Sequence, residues 1–439
     1  MQPASGHVSH DERIAAVDGL RAFALLGIIV THAAMAFLVG APPDPLFNTF
    51  TDLDRVVDRF VDLFASGKFF AIFSFLFGLS FAIQLDRARK KGRSFSGRFV
   101  WRLAILWAIG FVHSLFFSGD ILMIYALLGL LLIPFQRVSN KLLLVIACIL
   151  ALNVPGLIFG IARVNNPPPS VEVVQTRAEL MERAKKHYEI KQSGTVSELV
   201  RINLTEANAL RVRFQVLTGR LWVTFGLFLL GVYVGRMKLF EDTSEHRRVF
   251  RRIFVWAALG ASGLTVATIA FPGSFRAATL SDVIGWFVAS LHQIALAAFY
   301  VAAMTLLFWG RFSNAVLAWL APLGRLGLTT YLMQSMIGIT IFYGIGFGLL
   351  GRLGVASCVA VGIGIFMLQI LFARAWVRYF KLGPAEWLWR SLTYLKLQPN
   401  GATMGQLGMV VRGDGWLKTG ADRRTEPVQI AKESEFPRP

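Results

Sequence analysis

Residues 67–93 read GKFFAIFSFLFGLSFAIQLDRARKKGR. No side chain from Phe69 to Leu85 is charged, and then Arg87, Arg89, Lys90, Lys91 and Arg93 follow in quick succession. A helix that crosses hydrocarbon needs about 20 mostly apolar residues. Lys and Arg crowded at one end of such a run mark its cytoplasmic side. Working outward from this stretch, the same pattern recurs along the chain. Ten spans are expected, near 22–39, 64–84, 101–117, 121–135, 142–162, 217–235, 254–271, 284–308, 327–349 and 354–376. At about 20 residues each they account for about 200 positions, close to half of the 439 residues. The expected fold class is therefore all-α: a polytopic integral membrane helix bundle with both termini cytoplasmic.

Composition agrees with this reading. Apolar residues make up 55% of the chain and charged residues 16%, against about 25% charged in soluble domains. Two cysteines are too few for a disulfide scaffold. The formal charge of +19 invites a nucleic-acid partner, but its placement argues otherwise. Between the second and third spans lie Arg87, Arg89, Lys90, Lys91, Arg93, Arg98 and Arg102 against Asp86. Arg236, Lys238, Arg247, Arg248, Arg251 and Arg252 follow the sixth span, and Arg378, Lys381, Arg390 and Lys396 follow the tenth. These loops fall on one side. The opposite loop at 41–63 carries Asp44, Asp52, Asp54, Asp58 and Asp62 against Arg55 and Arg59. The basic charge thus orients the bundle and meets anionic lipid, and no nucleic acid is expected. Loop 163–216 is net basic yet falls outside, where long loops escape the orientation rule.

The expected organisation is an N-terminal tail (1–12), a bundle (13–396) and a disordered cytoplasmic tail (397–439). Residues 163–216 form a soluble insert that caps the outer face as one or two amphipathic helices. Residues 383–396, with Trp387, Trp389 and Tyr394, read as an interfacial helix. Gly346 to Gly351 matches a dinucleotide fingerprint formally, but no strand precedes it. Gly231 and Gly235, four apart, mark close helix packing. Cys148 and Cys358 lie inside spans as small packing residues. No metal-ligand spacing is present.

Ionisable residues inside spans are costly and so carry the most information. Arg21 and His32 are eleven apart, about 1100° along a helix and within about 20° of three full turns. They share one face, about 16 Å apart along the axis, and Asp18 can pair with Arg21. An Arg at the cytoplasmic mouth suits a phosphate-bearing donor. A buried His suits a general base. An orientation-setting Arg and a packing His would leave the same trace. A second group is His113, Asp120 and Tyr125 around the outer end of the third and fourth spans, where Asp120 also makes a good helix N-cap. Lys68, near Arg55, Asp58 and Asp62, reads either as a snorkelling lysine or as part of an outer mouth. Thr329, Thr330, Tyr331, Gln334 and Ser335 bring polar groups into the ninth span, as interhelical hydrogen bonds or a cavity wall. His292 in the eighth span is expected to face the same cavity.

These residues carry a resemblance. Asp18-Gly19-Leu20-Arg21-Ala22-Phe23-Ala24-Leu25-Leu26-Gly27 resembles the start of YeiB-like bacterial membrane proteins, a family named as a domain of unknown function. Lys68-Phe69-Phe70 with Phe73-Ser74-Phe75-Leu76-Phe77-Gly78, Gly119-Asp120-Ile121-Leu122 with Tyr125-Ala126, Gly324-Arg325 with Leu328 to Leu332, and Gly383 to Arg390 are similar to its later motifs. Together they cover residues 13–396 in order. That family resembles the transmembrane acyltransferases, namely the acyltransferase-3 group and the lysosomal heparan glucosaminide acetyltransferases. The resemblance implies ten helices that move an acyl group from cytoplasmic acyl-CoA to a hydroxyl or amine at the far face. It also implies that Arg21 and His32 match an essential Arg–His pair eleven residues apart in the acyltransferase-3 group. His32 stands where YeiB-like proteins more often have Asn. Ala22, Thr330 and Ala385 stand where Gly, Asn and Leu are common.

The expected function is acyl transfer in the bacterial inner membrane, from acyl-CoA to a glycan or lipid-linked acceptor. His32 or His113 would act as base, aided by Asp120, and Arg21, Arg87 and Arg89 would hold the CoA phosphates. Asp18, Lys68, Tyr125, His292, Thr329, Tyr331, Gln334 and Ser335 would line the cavity. The alternative is a transporter or exporter of a small or lipid-linked solute. Nothing in the sequence excludes a homodimer.

Overall fold

The computed structural model describes residues 15–37, 50–92, 94–167, 170–274, 279–310 and 313–401. The expected N-terminal tail and nearly all of the expected C-terminal tail lie outside these residues. The described chain is helical, with a single isolated bridge between Phe380 and Gly401.

The helices in order are α1 (Ala15–Ala34), α2 (Asp52–Phe64), α3 (Lys68–Lys90), α4 (Ser96–Ser114), α5 (Leu122–Leu130), α6 (Leu132–Phe135), α7 (Asn140–Ala151) and α8 (Val154–Asn165). Next come α9 (Ser170–Ser193), α10 (Val196–Ile202), a π-helical turn at Asn203–Ala207, α11 (Asn208–Leu217), α12 (Arg220–Arg236) and α13 (Ser244–Ala270). The chain closes with α14 (Leu280–Phe308), α15 (Ser313–Arg325), α16 (Gly327–Phe342), α17 (Val355–Tyr379) and α18 (Pro384–Tyr394). Large apolar side chains stay exposed on the outside: Trp256 is 72% exposed, Val266 68% and Leu368 67%. A soluble protein rarely leaves so much apolar surface open, whereas hydrocarbon accepts it.

Five helical stretches are long and apolar enough to cross a membrane, and three bent pairs raise the number to eight if each pair is one span. All ten expected segments are helical, but those at 101–117 and 121–135 fall outside that set. The latter is split into helices of nine and four residues, each far below the length a span needs. The expected continuous span at 142–162 bends by 43° between α7 and α8. Asn153 takes a left-handed φ of 57° there, and Pro155 sits in the first turn of α8, where its missing N–H costs nothing. The expected span at 327–349 stops at Phe342. The chain then doubles back, with the Phe347 and Leu349 amides donating to the Thr340 and Ile341 carbonyls, and Gly348 and Gly351 supply positive φ.

Contacts define two ends. At the basic end Arg21 meets Ser80, Arg89 meets the Gln136 carbonyl, and Arg236 meets the Val138 and Phe135 carbonyls. At the other end Tyr343 reaches the Phe37 carbonyl and the Gly344 amide reaches the Lys191 carbonyl. The insert reaches this end through α9, at Lys191, and through Asn203 and Arg211, which bond the Leu115 and Asp120 carbonyls.

Helix α18 covers most of the segment 383–396 and docks by its polar groups. Half-buried Glu386 accepts from the Leu328 and Thr329 amides at 2.6 and 3.0 Å and from Thr329 Oγ1. These are free N–H groups at the start of α16, where a carboxylate is most favourable. Trp389 Nε1 donates to the Arg102 carbonyl at 2.9 Å and Trp101 Nε1 to the Leu392 carbonyl at 3.1 Å. Replacing Glu386 with alanine is expected to destabilise the bundle by about 1–3 kcal/mol, because buried amides lose their acceptor. Thermal unfolding of the detergent-solubilised protein measures this, and an unchanged midpoint would show that α18 docks through its tryptophans alone.

Candidate functional site

The site is built at the far end of α4. His113 is in its last turn, and the chain then turns through Phe117 to Asp120 before α5 begins. Asp120 is wholly buried and His113 nearly so. Asp120 Oδ2 lies 2.8 Å from His113 Nδ1, and Oδ1 accepts from the Met123 amide at 3.2 Å. One carboxylate thus starts α5 and orients the imidazole. With Nδ1–H donated to Asp120, the lone pair sits on Nε2. Nε2 is buried and has no hydrogen-bond partner among the described residues.

His32 comes to this group from α1. The rings of His32 and His113 each lie 5.3 Å from the Phe117 ring, so the two histidines flank one phenyl group. His32 keeps some accessible surface on a helix that is otherwise mostly buried. Tyr331 of α16 joins from the other side, its ring 5.4 Å from that of His113. Its hydroxyl lies close to the Ile121 amide but makes no bond of hydrogen-bonding geometry.

The insert closes the group from outside. Arg211 Nη1 donates to the Asp120 carbonyl at 2.7 Å and stands 4.0 Å from Oδ1. Asn203, fully buried in the π-helical turn, donates to the Leu115 carbonyl at 2.9 Å. π-Helical turns recur at functional positions. Lys191 Nζ donates to Ser118 Oγ at 2.9 Å, and burial pushes its pKa down to about 8. His187 sits beside Glu206 at 3.4 Å, its pKa lowered chiefly by burial.

The remaining expected residues divide. Arg21 donates to Asp18 Oδ1 at 2.6 Å and to Ser80 Oγ at 2.7 Å, toward the basic end of the same helix as His32. Arg87 and Arg89 share that end but not that contact: Arg87 is exposed and Arg89 bonds the Gln136 carbonyl at 3.3 Å. The phenol expected beside His113 was Tyr125, but its hydroxyl turns to Ser74 Oγ at 2.6 Å. Tyr331 takes that place. Lys68 donates to the Asp62 carbonyl at 2.8 Å. His292 bonds Thr265 Oγ1 at 3.0 Å, across to α13. Gln334 bonds the Leu25 carbonyl and Gln369 at 3.3 and 3.2 Å, and Ser335 bonds back to the Tyr331 carbonyl. Gln334 and Thr329, the latter held by Glu386, thus join α16 to neighbouring helices, while Ser335 bonds within α16. Among the described residues no three His, Cys, Asp or Glu side chains gather to hold a metal ion.

Fold and site together define a multi-pass helical membrane protein with a buried His–Asp pair. Residues 234–396 match the family model described as Protein of unknown function (DUF418). Uncharacterized protein YxaH of Bacillus subtilis (strain 168) is 29% identical over 410 residues, covering 89% of this chain and 96% of the relative. An uncharacterized 39.9 kDa protein in an amylase 3'region of Bacillus acidopullulyticus is 26% identical, covering 89% and 97%. Uncharacterized protein YeiB of Escherichia coli (strain K12) is 30% identical over 397 residues, covering 87% and 96%. The chain belongs to the YeiB-like family of membrane proteins of unknown function. No solved structure matches it.

Proposed function

We propose that this protein is a membrane-embedded acyltransferase of the bacterial cytoplasmic membrane. It takes the acyl group of cytoplasmic acyl-CoA and passes it to a hydroxyl or amine of a glycan or lipid-linked acceptor at the outer face. The observation that supports this most is the His113–Asp120 pair at 2.8 Å, with Nε2 left unpartnered beside His32 and Tyr331. An imidazole oriented by a buried carboxylate is the usual form of a general base. In the proposed reaction His113 Nε2 takes the acceptor's proton. The acceptor oxygen or nitrogen bonds to the thioester carbonyl carbon, the C–S bond breaks, and the thiolate leaves with the proton from His113. His32, across Phe117, stabilises the oxyanion as a donor. Arg21 lies about 16 Å down the same helix, on the side from which a donor on a long arm would enter.

Acyl-CoA thiolysis by the purified protein tests this, with a panel of acyl donors and acceptors. His32→Ala and His113→Ala are each expected to lower the rate by about 100-fold or more. Equal rates in all three proteins, or none with any donor, would overturn the reading. A transporter is favoured by one observation, the three helix pairs bent by 43°, 70° and 77°, since transporters place broken helices around their sites. Solute flux into liposomes that survives loss of both histidines would favour it over the enzyme.

A further inference from the structure

We propose that Asn203, Asn208 and Arg211 of the insert form a binding site for a neutral, hydroxyl-bearing ligand beside His113. Asn203 is fully buried, and its Nδ2 donates to the Leu115 carbonyl at 2.9 Å. A carbonyl only accepts, so the amide is held with Nδ2 toward Leu115 and Oδ1 free. Ser114 Oγ donates to the Phe111 carbonyl at 2.8 Å and therefore accepts from Asn208 Nδ2 at 3.5 Å. That bond leaves Asn208 Oδ1 free in the same way. Both Oδ1 atoms are buried and have no hydrogen-bond partner among the described residues. Ser114 and Leu115 directly follow His113, and consecutive Cα atoms lie about 3.8 Å apart. The two asparagines are thus anchored at the end of α4 that carries His113.

The π-helical turn lets both serve one ligand. Residues five apart on an α-helix point about 140° away from each other. Here the Asn208 amide donates to the Asn203 carbonyl, the wider bond of a π-turn, which swings the two side chains toward one face. Arg211, three residues on, continues that face. Its side chain is 10% exposed, with Nη1 on the Asp120 carbonyl at 2.7 Å and Nη2 on the Met123 sulfur at 3.7 Å. Its Nε is buried without a partner among the described residues. The group therefore offers two acceptors and one donor, and His113 Nε2 adds an acceptor one residue before Ser114. A hydroxyl both donates and accepts, so it meets both kinds. A carboxylate only accepts and would face the two Oδ1 atoms. An ammonium only donates, leaves Nε unmet, and adds charge where Arg211 already offsets Asp120 and Lys191 stands at Ser118. Buried polar atoms left unbonded are costly, and a ligand with several hydroxyls relieves that cost.

The ligand's role as acceptor rests on the acyl-transfer reading, but its binding does not. The test is saturation-transfer NMR on the full-length protein in lipid nanodiscs. Methyl β-D-glucoside and glycerol are the hydroxyl probes, each paired with an ammonium counterpart, protonated glucosamine and protonated serinol. A hydroxyl probe is expected to bind more tightly than its counterpart. Asn203→Ala and Asn208→Ala are each expected to weaken it by about fivefold or more, while the exposed Arg87→Gln changes it by less than about twofold. If Asn203→Ala does not fold, Asn208→Ala decides, because it gives up only the 3.5 Å bond of a half-buried residue. Hydroxyl binding that depends on the asparagines supports the site even where no acyl donor is turned over. Acyl transfer whose acceptor KM neither substitution changes refutes the site and leaves the acyltransferase standing. Binding of no probe, equal binding in the folded variants, or tighter binding of the ammonium probes would overturn it.

Discussion

Asp120→Asn is expected to lower acyl transfer from acyl-CoA by about 10²–10⁴-fold while the bundle stays folded. The substitution keeps the shape of the turn, and an amide oxygen at the Oδ1 position still accepts from the Met123 amide. What changes is the group facing His113. The asparagine N–H₂ would sit where Oδ2 now lies 2.8 Å from Nδ1. Nδ1 must then accept a bond instead of donating one, and the proton moves to Nε2. The nitrogen proposed as base loses its lone pair. Measuring kcat together with the unfolding midpoint separates the two roles of Asp120. A rate within twofold of wild type, in a protein that melts normally, would remove His113 from the mechanism. A matching fall in stability and rate would make Asp120 a structural cap instead.

Parts of this arrangement were readable from residues alone, for a physical reason. A polar group inside a span is costly, so Arg21, His32 and His113 stand out against apolar neighbours. His113 and Asp120 are seven residues apart around one turn, and such local proximity is visible in sequence. Helix periodicity gives a face but not the neighbour that the face meets. Residue order pointed to Tyr125 as the phenol beside His113, and only the fold brings the Tyr331 ring there instead. Arg211 lies 91 positions from Asp120, in a charged insert where an arginine resembles any solvated one. Glu386 likewise sits on a segment that reads as interfacial, where a carboxylate ordinarily needs no partner. The ends of spans were less legible than their centres. The 142–162 run carries no charge and reads as one span, yet it breaks where Asn153 turns left-handed and Pro155 opens the next helix.

Gly231→Leu is expected to prevent assembly of the bundle, because the crossing it occupies is backbone against backbone. A Cβ at Gly231 would run into the Phe75 carbonyl and the Leu79 amide of α3. One turn along, a Cβ at Gly78 would run into the Phe228 carbonyl of α12. The two helices thus lie in each other's glycine notches, the close approach that small residues permit in membranes. A side chain that clashes with another side chain can be relieved by a rotamer change. Here the neighbours are peptide groups in intact helices, so relief requires the helices to separate. Overpacking costs about 1–3 kcal/mol where side chains can give, and more is expected where they cannot. That is a large fraction of the roughly 5–15 kcal/mol that holds a domain folded. The loss would also reach the proposed site, since α3 carries the Ser80 that holds Arg21 and the Ser74 that holds Tyr125. Gly260→Leu is the control, because a Cβ there meets nothing within 4 Å. Size-exclusion profiles and unfolding midpoints of both variants decide the matter. Monodisperse, normally melting Gly231→Leu protein would mean that the α3–α12 crossing is not the tight contact on which the rest of the bundle is hung.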